Sequence, residues 1–162
     1  QHAGHPRGQI AMTTVKVVVD SSVAIKWVVE EPYSAHARRV LDAYEAGALL
    51  LLVPDLFYAE VGNIVWKKQR FQGLATKDAD EILAAFRLVS FVAFPSADLL
   101  DDAYRLAVKH GRTVYDALYL ALSLRESCPW VTADERVVNA LASTYRGIVW
   151  VAAWPGEATP SR

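Results

Sequence analysis

One cysteine, Cys128, stands in 162 residues, so an internal disulfide and a thiolate metal cluster are both excluded and a reducing cytoplasm suits the chain. Histidine is sparse too, with four: His36 and His110 fall on predicted helices, and His2 and His5 form at most a fortuitous pair in an unpatterned leader. No glycine-rich turn follows the first apolar run at Val19, which removes the phosphate cradle of dinucleotide-binding folds. Neither sign of charge dominates, with 17 Lys and Arg against 18 Asp and Glu and a net charge of −1. Any contact with a phosphate backbone therefore depends on local basic patches or on metal. The longest apolar stretch, Ala46 to Pro54, is too short to span a bilayer.

What the chain has is apolar mass and strand–helix alternation. At 53% hydrophobic residues it can bury one sizeable core without a covalent staple. Residues 1–11 read as a leftover leader, 12–154 as one domain and 155–162 as a flexible tail. Val15 to Val19 is a β-branched run, the pattern of a strand buried on both faces, with Ser21 or Ser22 as the cap of a following helix. Further strands are predicted at Leu49–Val53, Val89–Phe94, Trp130–Thr132 and Ile148–Ala152. Helices are predicted at Tyr33–Ala46, Asp55–Arg70, Thr76–Leu88, from Pro95 and Ser96 to Gly111, Val114–Glu126 and Asp134–Ala142. The repeated β-then-α order without hairpin signals predicts one parallel sheet covered by helices on both faces. Ligands of such sheets bind at the carboxyl ends of the strands.

Four acids mark that edge: Asp20 after the first strand, Glu60 within LFYAEVGN, Asp116 in TVYDALYLA and Asp134 in VTADER. Each also has an ordinary reading. Asp20 can be a turn or capping residue. Glu60 can belong to a solvated stripe with Asn63 and Lys67. Asp116 stands three residues after Thr113, the spacing of a capping box, and Thr132 with Glu135 repeats that spacing and leaves Asp134 free. Together the four say more than singly. Converging carboxylates repel and raise each other's pKa, a cost that a divalent cation such as Mg²⁺, which takes oxygen ligands, removes. The other acids, among them Asp42, Glu45, Asp78 and Asp102, lie on helices with polar neighbours and read as solvated faces.

The ordered set VVVDSSVAIKW, LFYAEVGNIVWK, TVYDALYLALS and VTADERV resembles the PIN domain family, and more narrowly the VapC toxins of toxin–antitoxin pairs, over about Val15 to Trp150. That resemblance implies a three-layer α/β/α sandwich with a central parallel sheet. It also implies a Mg²⁺- or Mn²⁺-dependent endoribonuclease that cuts structured RNA, tRNA or rRNA, to 5′-phosphate and 3′-hydroxyl ends. By motif it implies catalytic, metal-holding acids at Asp20, Glu60, Asp116 and Asp134, with Ser22, Asn63 and Thr132 in supporting positions. Its implied partners are an antitoxin protein of the VapB type and a second copy of the chain, with no membrane. Apolar exposure is expected for the antitoxin at Trp27, Val28, Val29, Phe57, Tyr58 and Trp66, some of which are equally readable as core.

Basic residues near the motifs, Lys26, Lys67, Lys68, Arg70, Arg112 and Arg125, are candidates for guiding phosphates, or plain solubility charges. Other classes fit less well. A receiver domain needs a lysine after a late strand, and Ile148 to Gly156 has none. A phosphatase with an aspartyl nucleophile needs a second aspartate two residues after Asp20, where Ser22 stands. The remaining alternative is a catalytically silent binding module of the same fold.

Overall fold

The computed structural model describes residues 14–155; the readings of the leader and of all but the start of the tail fall outside them. Five strands, β1 (Val15–Val19), β2 (Leu49–Pro54), β3 (Val92–Phe94), β4 (Trp130–Thr132) and β5 (Ile148–Trp150), form one sheet in the order β3-β2-β1-β4-β5. Every pairing is parallel. Seven α-helices accompany them among the described residues: α1 (Ser21–Ala24), α2 (Ser34–Glu45), α3 (Leu56–Phe71), α4 (Thr76–Leu88), α5 (Ser96–His110), α6 (Val114–Glu126) and α7 (Glu135–Leu141). Among these residues no helix is long and apolar enough to cross a membrane.

Alternation along the strands divides the core in two. Val17, Val19, Leu51 and Val53 face α1 to α4 on one side, while Val18, Leu52 and Trp130 face α5 to α7 on the other. Side chains of successive strand residues point to opposite faces, so an unbroken run such as Leu49–Val53 is what a strand covered on both sides requires. The expected three-layer α/β/α architecture is therefore the one observed. Helix α6 lies deepest, with every residue from Ala117 to Ser123 buried, because α5 covers it on the side away from the sheet.

Several boundaries differ from the sequence reading, for local reasons. Strand β3 begins at Val92 rather than Val89, because Val89 caps α4, its N–H bonded to the Phe86 carbonyl, and Phe91 turns inward against Phe57 at 4.6 Å between ring centres. The last strand stops at Trp150, and Val151–Ala153 winds into a 3-10 turn. Asp20, not Ser21 or Ser22, occupies the N-cap position of α1. Asp134, not Thr132, caps α7 by accepting the Arg136 N–H at 3.0 Å. Thr113 caps α6 as expected, its Oγ1 accepting the Asp116 N–H at 3.1 Å.

The strand order runs down to β1 and then up from β4. Neighbouring connections therefore leave β1 and β4 in opposite directions, which opens a crevice at their carboxyl ends, the topological switch point of an open parallel sheet. Asp20 follows β1 and Asp134 follows β4.

Candidate active site

Asp20 is buried, with 8% of its surface exposed. Its Oδ2 accepts hydrogen bonds from the hydroxyls of Ser22 and, at 3.1 Å, Thr132. Both donors are themselves fixed. Ser22 Oγ accepts the Ala133 N–H at 3.0 Å and Thr132 Oγ1 accepts the Asp134 N–H at 3.1 Å. The ends of β1 and β4 are thus tied together around one carboxylate. Burial pushes the Asp20 carboxyl up to about 6; the two hydroxyls work against that rise, and the charges of Asp116 and Asp134 add to it.

Glu60 projects from the middle of α3 toward the same crevice. The solvated-stripe reading is corrected here: Asn63 and Lys67 are exposed while Glu60 is half-buried, because its Oε1 accepts the Tyr119 hydroxyl of α6 at 2.5 Å. Burial pushes its carboxyl up to about 7, opposed by the Tyr119 and Ser21 hydroxyls and reinforced by Asp20 and Asp116. The Tyr119 hydroxyl, buried beside the charges of Asp20 and Glu60, is raised further still and stays protonated as a donor. Tyr119→Phe is expected to move the Glu60 titration upward, since the bond that favours its ionised form is lost; carboxyl ¹³C NMR against pH measures it, and an unmoved titration would show that the bond does not hold Glu60.

Asp116 and Asp134 stand at the entrances of α6 and α7, each turned to an arginine. Arg112 Nη2 lies 3.0 Å from Asp116 Oδ2, and Arg136 reaches Asp134 through Nε and Nη2, both at 3.3 Å. Glu60, Gly111, Arg112, Thr113, Tyr115, Asp116, Asp134 and Arg136 line an open cleft of about 430 Å³; Asp20 is not in its lining, but its carboxyl feels the charges of Asp116 and Asp134. A slightly larger hollow of about 470 Å³ between α5 and α6 carries none of the four acids. Among the described residues no three acidic, histidine or cysteine side chains already stand together as a metal-holding group. The donor set is all oxygen, as a hard divalent ion prefers, and burial, with neighbouring like charges adding to it, raises Asp20 and Glu60. That donor chemistry suits such an ion, and Asp116 and Asp134 are each turned to an arginine.

Of the supporting residues, Ser22 and Thr132 do hold Asp20. Asn63 is exposed on α3, with no side-chain hydrogen bond among the described residues. Among the candidate basic residues, Lys26 and Lys68 are engaged by Glu31 at 3.6 and 3.0 Å, and Arg125 points to the Asp98 carbonyl; only Arg112 lines the cleft. Sequence reasoning missed Tyr119, Ser21 and Arg136. Tyr119 carried a signal, standing three residues after Asp116 and so on the same helical face.

Fold and site together define an α/β/α protein with an acidic centre at the switch point of its parallel sheet. The chain belongs to the PIN domain family, whose model matches residues 17–142. It is 36% identical over 131 residues, 77% of this chain and 94% of the relative, to ribonuclease VapC3 of Pyrobaculum aerophilum. Among solved structures it is similar to PAE2754 of Pyrobaculum aerophilum, with 25% identity, a TM-score of 0.58 and coverage of 86% of this chain and 92% of that one. A toxin–antitoxin complex from Klebsiella pneumoniae shares the fold at 16% identity, with a TM-score of 0.56 and coverage of 82% and 95%.

Proposed function

We propose that this chain is the toxin of a toxin–antitoxin pair and acts as a Mg²⁺- or Mn²⁺-dependent endoribonuclease, hydrolysing structured RNA, tRNA or rRNA, to 5′-phosphate and 3′-hydroxyl ends. The observation that carries this reading is that Glu60, Asp116 and Asp134, from three separate elements, line one cleft, with charge coupling between them and the buried Asp20 at the end of β1. Kinship with ribonuclease VapC3 supports it. Asp20, Glu60, Asp116 and Asp134 are the residues that hold the ion. When bound, a divalent ion there lowers the pKa of a water and offsets the charge that develops on a phosphate. The protein's own part is orientation: Ser22 and Thr132 fix Asp20, and Tyr119 fixes Glu60. Packing of Tyr119 on Trp130, 5.7 Å between ring centres and 8° between planes, keeps that donor in place.

For the antitoxin, the expected apolar surface needs correction. Trp27 and Phe57 are buried in the core, whereas Tyr58 and Trp66 are about half exposed. Two adjoining hollows of about 420 and 320 Å³ share Val28 and Ala85 and are edged by Glu30, Glu45, Asp78 and Glu81. Apolar walls with an acidic rim fit an antitoxin segment that carries apolar anchors and basic residues. For a homodimer, α5 offers Leu100, Tyr104 and Val108, all more than half exposed and spaced four apart on one face.

The test is cleavage of total bacterial RNA by the purified protein with Mg²⁺ or Mn²⁺ and with EDTA. Discrete fragments bearing 5′ phosphates, formed with metal and not with EDTA, are the expected result. No cleavage in the confirmed absence of antitoxin leaves the binding-module reading standing instead.

A further inference from the structure

Two of the three acids that line the cleft are engaged by the protein's own cations. Arg112, in the loop just before the α6 cap, contacts Asp116 through Nη2, while its Nε is buried without a hydrogen-bond partner. Arg136 grips Asp134 with a side chain that is 83% exposed. Both guanidiniums line the same cleft as Glu60. A carboxylate oxygen turned to a guanidinium is not free for a hard cation, and a nearby guanidinium repels that cation. The Arg136–Asp134 pair, with its arginine side chain 83% exposed, is a weak surface pair, while the Arg112–Asp116 pair, 23% and 29% exposed, is more sheltered and yields only to a better partner. A phosphodiester is such a partner, since its two non-bridging oxygens match the guanidinium fork.

We propose that Arg112 and Arg136 exchange partners on substrate binding, moving from Asp116 and Asp134 to phosphates of the RNA and so freeing both acids for the metal. This rests on the nuclease reading above and adds to it a coupling between substrate and metal. Each arginine is a positioning residue that keeps the acidic centre charge-balanced and open until RNA arrives. Coupling of this kind is reciprocal: RNA tightens metal binding and metal tightens RNA binding by the same factor.

The test has two arms. Calorimetric titration with Mn²⁺, without nucleic acid, compares the wild type with Arg112→Gln, Arg136→Gln and, as a control for charge alone, Lys16→Gln, whose lysine pairs with Glu126 through a side chain that is 49% exposed. Each arginine variant is expected to bind Mn²⁺ about fivefold tighter or more, with the lysine variant unchanged. Anisotropy of a fluorescent phosphorothioate oligodeoxynucleotide, with and without Mn²⁺, then reads the coupling. Wild-type affinity is expected to rise with Mn²⁺, and the arginine variants are expected to bind more weakly and lose most of that rise. Unchanged or weaker Mn²⁺ binding by both arginine variants overturns the exchange while leaving the nuclease reading intact, as does an undiminished rise in the second arm. A wild type that binds no Mn²⁺ overturns the metal site itself and the exchange with it.

Discussion

Asp20→Asn is expected to abolish RNA cleavage while raising the melting temperature at pH 7. Asparagine keeps the shape and still offers an oxygen to Ser22 and Thr132, so the ties between β1 and β4 survive, but the anionic ligand is gone. Loss of an outer-shell partner at a metal site costs 10- to 100-fold in activity, and loss of a ligand itself is expected to exceed about a hundredfold. Stability moves the other way. Burial lifts the Asp20 carboxyl from its ordinary 3.8 to about 6. Between those values the folded chain holds a proton that the unfolded chain has released, so stability falls as pH rises through that window. Above it the full cost of the buried anion is present, about 3 kcal/mol. For a chain of this size that corresponds to as much as about 10 °C. Melting curves of wild type and variant are therefore expected to coincide near pH 4 and to separate toward pH 7. Saturating Mg²⁺, which binds the ionised form, is expected to raise the wild type alone. Retained cleavage would remove Asp20 from the centre. Parallel melting profiles would show that its charge carries no such cost.

The second large effect lies in the core that supports the site. Trp130→Ala is expected to cost about 3–5 kcal/mol, a large share of a typical domain's stability, read as a lower denaturant midpoint. Trp130 is fully buried and its ring is the floor on which Tyr119 lies. The cavity would loosen the donor that fixes Glu60, so RNA cleavage is expected to fall even under conditions where the variant remains folded. Its Nε1 has no hydrogen-bond partner, so Trp130→Phe, which loses packing but no bond, is expected to cost less than about half as much. Equal costs for the two variants would show that ring stacking contributes little. Full activity in a folded Trp130→Ala protein would detach Tyr119's placement from Glu60's role.

Much of the site was legible because its signals are local. Asp20 stands directly after a valine run and Asp116 three residues after a capping threonine, and such spacings report where strands end and helices begin. Glu60 was ambiguous for a physical reason: at helical spacing its neighbours are both apolar and polar, and only contact with Tyr119, 59 residues away in the chain, turns it inward. Thr132 and Asp134 were read as cap and free acid and proved the reverse. Thr132 is drawn to Asp20, 112 residues distant, and capping falls to the next available oxygen. The apolar residues Trp27 and Phe57 were readable either as surface or as core, since hydrophobicity alone does not say which elements will cover a side chain.

By itself the sequence determined the architecture and marked four candidate acids. Strand–helix alternation and unbroken apolar runs admit little besides a parallel sheet with two covered faces, and the absence of cysteine pairs, histidine pairs and glycine loops left carboxylates to carry any chemistry. Tertiary structure decided how those acids stand. Strand order placed β1 beside β4 and made their ends a crevice. Packing of α3 on the sheet brought Glu60 to Tyr119. The cleft turned Asp116 and Asp134 toward Arg112 and Arg136. The first two of those outcomes depend on distances between residues remote in sequence, and the arginine contacts, though local, depend on the shape of the cleft, none of which periodicity encodes.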